Sequence, residues 1–500
     1  MEKSLIIIGG GLAGLATGCY GRMNGYRTSI FEMHNIAGGV CTGWKRKGYT
    51  IDGAMNTLMG SKPGTSFYRF WEELGAAQQW QVCNHDQYIL LEDEHGNVFT
   101  MYSDIDRLEQ QMIEFAPEDE EVIRECCKAA RDSSRIEMPV DKPQELYNIL
   151  DYIKMIKMLP SLRFMQKWSG ITTAEYNRRF KNLFMRKVFG IRPEVEFLDM
   201  PVLSIFMELA WLHQKEGGYI IGGALALISY IQQRYLDLGG ELHLKSKVEK
   251  ILVENDKAVG IRLVDGTEHR GDIVISAADG HTTIFDMLDG KYINDKIRGY
   301  YDSLPLRPPL VYIGLGVARK FDDVPSSVEG LTFPLEKPII IAGKEHDLLG
   351  VQIYNFDPTL APEGKTVVRV YFNTEYDYWE RLYEDPERYK AEKERIADTV
   401  VTILDKRFPG LADQVEMRDV ATPMTWVRYT GNWRGAYEGW MMTPKTLMHQ
   451  WSKTLPKLDD FYMAGQWVVL GSMPSSVMSG RQTIQIICSK DKKKFVTSIP

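Results

Sequence analysis

The chain is poor in features that mark several common chemistries. Its cysteines, Cys19, Cys41, Cys83, Cys126, Cys127 and Cys488, form no C-x-x-C pair and no zinc spacing. That argues against a dithiol centre and a zinc module, gives no reason to expect a metal, and suits buried thiols in a reducing compartment. Long apolar runs are also missing. The longest window, Tyr219 to Ile231, is too short to span a bilayer and is broken by Gly222-Gly223. Positive charge is not in excess: 60 Lys and Arg stand against 67 Asp and Glu, a net charge of −7, which argues against a general nucleic-acid binder. No Ser/His/Asp set suggests a hydrolase. The N-terminus enters an apolar strand with only Lys3 as a positive flank, so no secretory signal is expected. A cytoplasmic protein of two or three domains is the expectation from 500 residues of ordinary composition.

What is present begins at once. Ser4 to Ile8 reads as a buried parallel strand, and Gly9, Gly11 and Gly14 follow it in G-x-G-x-x-G spacing. In that pattern the first glycine makes the turn and the second admits a diphosphate to the backbone. The third lets the next helix pack close to the sheet, while the N–H groups opening that helix face the anion. Thr28 to Phe31 reads as the second strand. Glu32 ends it about 20 residues beyond the glycines, where a carboxylate accepts hydrogen bonds from a ribose diol and repels a 2′-phosphate. A second glycine pair, Gly38-Gly39, adds backbone for further phosphate and ribityl contacts. This combination resembles the flavoprotein version of the motif, and FAD is the expected cofactor.

Further along, Gly48 to Gly53 reads as a strand returning toward the first loop, which would set Asp52 to Asn56 near a flavin ring. Residues 66–80 have a helical apolar face, and Ile89 to Tyr102 reads as a hairpin turning at His95-Gly96-Asn97. Residues 104–214 are mostly helical. Within them Lys154, Lys157, Arg163, Lys167, Arg178, Arg179, Lys181, Arg186, Lys187 and Arg192 interleave with Ile153, Met155, Ile156, Met158, Leu159, Leu162, Phe164, Met165 and Trp168. Such a segment either lies on an anionic membrane surface or is a solvated basic face over an ordinary core. The α/β pattern returns over 215–290, with a helix after Gly222-Gly223, a strand at Val248 and a hairpin turning at Asp265-Gly266. Strands dominate from Leu310, followed by a charged helix from Trp379 to Phe408. An aromatic stretch then carries Trp426, Tyr429, Trp433, Tyr437 and Trp440, either core or the floor of a pocket. Near the C-terminus the strand Phe461 to Ala464 ends in Gly465. A helix starting near Ser475 would point its positive end, with free N–H groups, at the flavin.

These pieces, in this order, resemble the phytoene desaturase and carotenoid isomerase family within the amine-oxidase-like flavoproteins. The segments that carry the likeness are the glycine loop with Glu32 and Gly38-Gly39, GYTIDGAMN, GGYIIGGALALISYI, the Val248 strand, SAAD, TPMTWVRYTGN and AGQW with its following loop. Two positions depart from the family pattern: Gln466 stands where an acid is usual, and Ser472-Met473 where glycines are common.

The resemblance implies an α/β fold, α+β as a whole. A discontinuous Rossmann-like FAD-binding domain (1–65, 215–290, 455–500) would be interleaved with a sheet-based substrate domain (66–110, 291–454). A mainly helical insertion (111–214) would serve as a lid or membrane-facing part. The cofactor contacts it implies are Gly9, Gly11, Leu12, Ala13 and Gly14 in the first turn, then Glu32, Met33, Gly38, Gly39 and Val40. Met55, Asn56, Val248 and Ala278 follow, and at the far end Gly465, Gln466, Met473 and Ser475. Asn56, Arg428 and Tyr429 are candidates for chemistry by position only. The implied activity is desaturation, saturation or isomerisation of carbon–carbon double bonds in a long apolar substrate, with an external electron donor or acceptor. An amine or amino-acid oxidase, or a prenyl-binding escort without catalysis, are the alternatives on the same fold.

Overall fold

The computed structural model describes residues 2–136, 138, 140–190, 198–447, 449 and 451–500. Arg192 lies outside them, as do the side chains of Lys154, Met155 and Lys157.

A five-stranded parallel sheet carries both ends of the chain. Its order is Glu241–His243, Arg27–Phe31, Ser4–Ile8, Ile273–Ser276 and Phe461–Met463. The central strands are apolar on both faces because both are covered, as a parallel sheet requires. On one side the first helix, Leu12–Met23, packs against Gly223–Asp237 and against the C-terminal helix, Met473–Lys490. Close approach of the terminal helices depends on Gly480, where a Cβ would fall 2.6 Å from Thr17 Oγ1 and 2.8 Å from the Ala13 carbonyl. An antiparallel ribbon, Val248–Glu254, Lys257–Leu263 and Glu268–Arg270, covers the other side.

The second sheet has seven strands, in the order Val415–Ala421, Leu310–Val317, Thr366–Asn373, Lys344–Ile353, Val328–Ile341, Gln87–Glu92 and Val98–Tyr102. All its pairings are antiparallel except that between Val328–Ile341 and Gln87–Glu92. One face packs Val311, Ile313 and Val370 against Ile396, Val400 and Leu404 of a long helix, Pro386–Arg407. The other turns Tyr312 and Tyr371 into the core shared with Tyr49, Ile51 and Met55. The helix expected from Trp379 to Phe408 is two helices. Asp385 accepts from the Arg388 N–H and Pro386 opens the second, so chain and cap both restart there.

Helices Ile105–Phe115, Glu120–Ser133, Leu159–Ser169 and Val202–His213 build a separate core with the hairpin strands around Tyr88, Ile89 and Phe99. Trp168 is buried in it, and Phe164 and Met165 pack on it. This end of the interleaved apolar set therefore packs inward, as an ordinary core does. Others of the same set, Ile153, Ile156, Leu159 and Leu162, reach solvent, together with Ile149, Leu150 and Tyr152. Among the described residues no helix is long and apolar enough to cross a membrane.

Candidate functional site

The turn after the first strand sorts its glycines by function. Gly9, at φ +93°, takes a left-handed conformation while its N–H donates to the Phe31 carbonyl at 2.8 Å. A Cβ on Gly14 would lie 1.9 Å from the Gly9 carbonyl oxygen, so this position is glycine for packing. Gly11 differs from both. Its φ is −68°, open to any residue, and a Cβ there would meet no atom nearer than 3.7 Å. Neither backbone nor packing requires glycine at this point, whereas a ligand backed against the chain does. The helix it opens has no side-chain cap and no acid in its first turn, leaving the N–H groups of Leu12, Ala13 and Gly14 without helical acceptors. Gly38 closes the opposite wall, its N–H donating to the Gly10 carbonyl at 2.9 Å, with Gly39 and Val40 half-buried beside it. The residues fit a diphosphate.

At the end of the second strand Glu32 is buried. Its Oε2 accepts from the Gly10 N–H and its Oε1 from the His34 N–H, both at 2.7 Å. Burial pushes its carboxyl upward, against the lowering effect of those two N–H groups. Each oxygen keeps acceptor capacity for a ribose hydroxyl. Gly10 is a site residue that the spacing argument missed, since a Cβ there would stand 3.0 Å from Glu32 Cβ. Val248 begins the antiparallel ribbon opposite Leu263, and Ala278 follows the fourth strand of the parallel sheet beside Gly9.

Arg428 and Tyr429 border this nucleotide end. The Tyr429 ring meets His34 edge-on at 5.0 Å, and the exposed Arg428 guanidinium lies over Tyr429 at 4.5 Å and donates to its hydroxyl. A Cβ on nearby Gly431 would come 3.8 Å from Met33 Sδ. Arg428 is thus exposed and Tyr429 half-buried, both beside Met33 and His34.

The two ends of the chain meet at the other side of the cradle. Cys41 Sγ stands 3.5 Å from Met473 Sδ, and the Gly53 N–H donates to the Thr42 carbonyl at 2.9 Å. Burial raises the Cys41 thiol, which therefore stays protonated. Gly465, at φ +95°, donates its N–H to Ser479 Oγ at 2.7 Å, and a Cβ on it would stand 3.4 Å from Ala13 Cβ. Gln466 is half-buried, its side-chain nitrogen 3.4 Å from the Ala436 carbonyl.

The last helix begins at Met473, two residues before Ser475, and its N-terminus is largely satisfied. Ser472 caps it, accepting from the Ser475 N–H at 3.2 Å, and its carbonyl takes the Ser476 N–H. Pro474 has no N–H to offer. Ser475 is spent in the cap, its hydroxyl bonded to Ser472 Oγ at 2.7 Å. What this helix presents is its dipole and the Met473 N–H, not a row of free donors.

The Asp52–Asn56 turn rests on a buried polar network that the sequence reading did not find. Asp52 accepts from the N–H groups of Ala54, Met55 and Ala224 at 2.8, 2.7 and 2.8 Å. Arg369, rising from the centre of the seven-stranded sheet, donates to the Asp52 and Met55 carbonyls at 3.1 and 3.3 Å, to Asn56 Oδ1 and to Gln352 Oε1. Its guanidinium lies among the rings of Tyr371, Tyr354 and Tyr312 at 4.7, 5.0 and 5.8 Å. Met55 is fully buried in this core, so its side chain is corrected out of the set facing a cofactor. Asn56 stays half-buried at the edge.

In the aromatic stretch Trp426 and Trp440 are core, while Tyr429, Trp433 and Tyr437 are half-buried. Trp440 and Trp467 bury each other with Leu304, and Trp426 is closed off as well. Asp279 accepts from the backbone N–H groups of Thr282 and Trp433 at 2.8 and 2.9 Å. Arg434 pairs with Asp377 at 2.6 Å on the surface.

A parallel nucleotide-binding sheet joined to a large mixed sheet, with both chain ends at one cradle, defines a flavoprotein of the amine-oxidase-like class. An oxidoreductase from Methanosarcina mazei shares this fold at TM-score 0.62 and 17% identity, over 96% of this chain and 100% of that one. Cyclohexylamine oxidase from Brevibacterium oxydans does so at 0.61 and 13%, over 99% and 100%. The chain belongs to the flavin-containing amine oxidoreductase family, whose model matches residues 12–488. It is a flavin-dependent oxidoreductase. Among curated relatives, chloroplastic prolycopene isomerase of Arabidopsis thaliana is 24% identical over 470 residues, 92% of this chain and 78% of that protein. The neurosporene-forming phytoene desaturase of Rhodobacter capsulatus is 25% identical over 508 residues, 96% and 93%.

Proposed function

We propose that the chain binds FAD and acts on a long apolar, polyene or isoprenoid-like substrate by desaturation, saturation or isomerisation of its double bonds. The observation that carries this is full-length similarity to a prolycopene isomerase and a phytoene desaturase, joined to a Gly11 position that only a backbone-hugging ligand explains. Glu32, whose oxygens keep acceptor capacity for a ribose diol, supports FAD over a cofactor lacking adenosine. Bound flavin supplies the two-electron chemistry, exchanged with an external donor or acceptor. The protein supplies position: the Leu12–Gly14 N–H groups hold the diphosphate, and the Asp52–Asn56 turn, backed by Arg369, fixes the wall against the ring.

We further infer peripheral attachment to a membrane from the cytoplasmic side, through the exposed apolar residues of helix Ile149–Lys157 and their neighbours Leu159 and Leu162.

The test is to purify the protein, record its visible spectrum and identify co-extracted lipid by mass spectrometry. FAD-loaded protein is then incubated anaerobically with cis- and trans-polyenes in vesicles, and the products are separated by chromatography. A colourless protein that takes up no FAD sinks the reading. Peroxide release with amines, and no change in any polyene, would move it to the amine oxidases.

A further inference from the structure

Arginine carries five N–H donors and no acceptor, so it dictates which end of a neighbouring amide faces it. Arg369 Nη2 donates to Asn56 Oδ1, and Gln352 Nε2 approaches that same oxygen at 3.4 Å. Gln352 is itself oriented by Arg369, whose Nε donates to its Oε1 at 2.9 Å, which turns the Gln352 amide nitrogen toward Asn56 and toward Glu329 Oε1 at 3.4 Å. With its oxygen pinned by two donors, Asn56 has one orientation left. Its Nδ2 hydrogens point out of the network. That nitrogen has no hydrogen-bond partner among the described residues and is not one of the sealed, unsatisfied atoms, so it opens on the surface of the turn.

The anchor is rigid. Arg369 is 1% exposed, held by two backbone carbonyls of the turn and caged by three tyrosine rings, and it cannot swing away without stranding a buried charge. The turn it props leans through Gly53 on the Thr42 carbonyl, one residue from the Cys41–Met473 contact where the chain ends meet. A hydrocarbon offers no acceptor to an amide N–H there; an isoalloxazine ring offers several.

We propose that Arg369 is a positioning residue that locks the Asn56 amide with its N–H groups turned outward, as the side-chain hydrogen-bond donor this wall presents to the flavin ring. The inference rests on the cofactor reading of the cradle. No other cation could substitute simply: a lysine is a point charge and would hold one of the two amides, not both.

Asn56→Asp separates this role from a structural one. Aspartate keeps the shape and gains an ion pair with Arg369, so the variant keeps or raises the thermal midpoint of the wild type. It loses both outward donors and sets an acceptor against the ring. The expected result is FAD binding weakened about tenfold, the loss of roughly one good hydrogen bond, and a midpoint potential of the bound flavin shifted downward. Asn56→Ala, with no new charge, weakens binding in the same direction, and Arg369→Lys gives an intermediate loss of affinity. The inference is overturned if Asn56→Asp binds FAD like the wild type with unchanged potential, or if Arg369→Lys matches the wild type in both. A wild type that takes up no FAD at all overturns the reading of the cradle instead, and is visible before any variant is made.

Discussion

Asp52 and Arg369 are both sealed from solvent, and Asp52 Oδ1 stands 3.9 Å from Arg369 Nη1. Neither group is satisfied by the other alone. Three backbone N–H groups complete the carboxylate, while two carbonyls, two amide oxygens and three rings complete the guanidinium. Desolvation pushes the Asp52 carboxyl upward, and the arginine opposes it. The pair joins the Asp52–Asn56 turn to the seven-stranded sheet, so the two are coupled mechanically.

Removing one partner should therefore cost much more than an ordinary surface ion pair. Asp52→Asn leaves Arg369 without its counter-charge and turns an amide N–H against the Ala224 N–H. The expected loss is about 3–5 kcal/mol in urea unfolding. Arg369→Met should lose a similar amount, and the double variant less than the sum, because the second change removes a group already left unpaired. Additive losses would show that the two do not act as a unit.

Gly11 and Gly14 make a paired experiment within one turn of chain. Gly11→Ala places a Cβ where the structure has space, so the fold should lose at most about 1 kcal/mol while FAD affinity falls, and Gly11→Val should abolish FAD binding. Gly14→Ala drives a Cβ into the Gly9 carbonyl and should destabilise the protein by about 1–3 kcal/mol or more even before cofactor is added. Flavin absorbance after desalting and denaturant midpoints of the apoproteins check both. A yellow Gly11→Val protein would remove the diphosphate from this turn.

The contrast between these sites explains what the chain discloses when read as text. The glycine turn, Glu32 and the Asp265-Gly266 hairpin are legible because their physics is local: each motif lies within one strand–turn unit, and the acid follows the glycines at a fixed spacing of about 20 residues. Arg369 sits in KTVVRVYF, where it looks like any charged residue in a strand, and the carbonyls it binds are 317 and 314 positions away. The aromatic stretch misleads for the opposite reason. Ring density in sequence says nothing of whether the rings meet a ligand or, like Trp440 and Trp467, each other. The Pro386 break was available locally, an Asp-Pro step in an otherwise continuous helical pattern. The Ser472 cap was also local, and it changes what the last helix offers the cofactor.

The exposed helix yields a prediction about partners. Ile149, Ile153 and Ile156 are 78%, 50% and 63% exposed, a large fraction for isoleucines of one short helix. Arg163 is exposed on the next helix. Replacing the three isoleucines with serine should reduce co-sedimentation with phosphatidylglycerol-containing vesicles about tenfold or more while leaving flavin absorbance intact. Binding by the wild type should also weaken between low and physiological salt, as screening cuts the contribution of the basic residues. Equal sedimentation of variant and wild type would assign this helix to some other role.

Asp279 provides a test in pH. Its carboxyl is fully buried and is pushed from its ordinary 3.8 up to about 6, chiefly by desolvation, with the Thr282 and Trp433 N–H groups opposing the rise. The folded protein therefore holds this proton over a range where the unfolded chain has released it. Stability contributed by the protonated group is complete below about pH 4 and is lost as pH rises through about 6, the reverse of a salt-bridged carboxylate. The difference corresponds to about 3 kcal/mol. Asp279→Asn cannot titrate, so subtracting its urea stability from that of the wild type isolates the group. That difference should fall by about 3 kcal/mol between about pH 4 and pH 6.5 and then level off. The Trp433 backbone is one of the two groups Asp279 holds, and His281 stacks on the Trp433 ring at 4.6 Å, so the indole fluorescence of this cluster should shift over the same window. A stability difference that is flat in pH would mean that the buried carboxyl stays ionised throughout, held by its two N–H donors against the cost of burial.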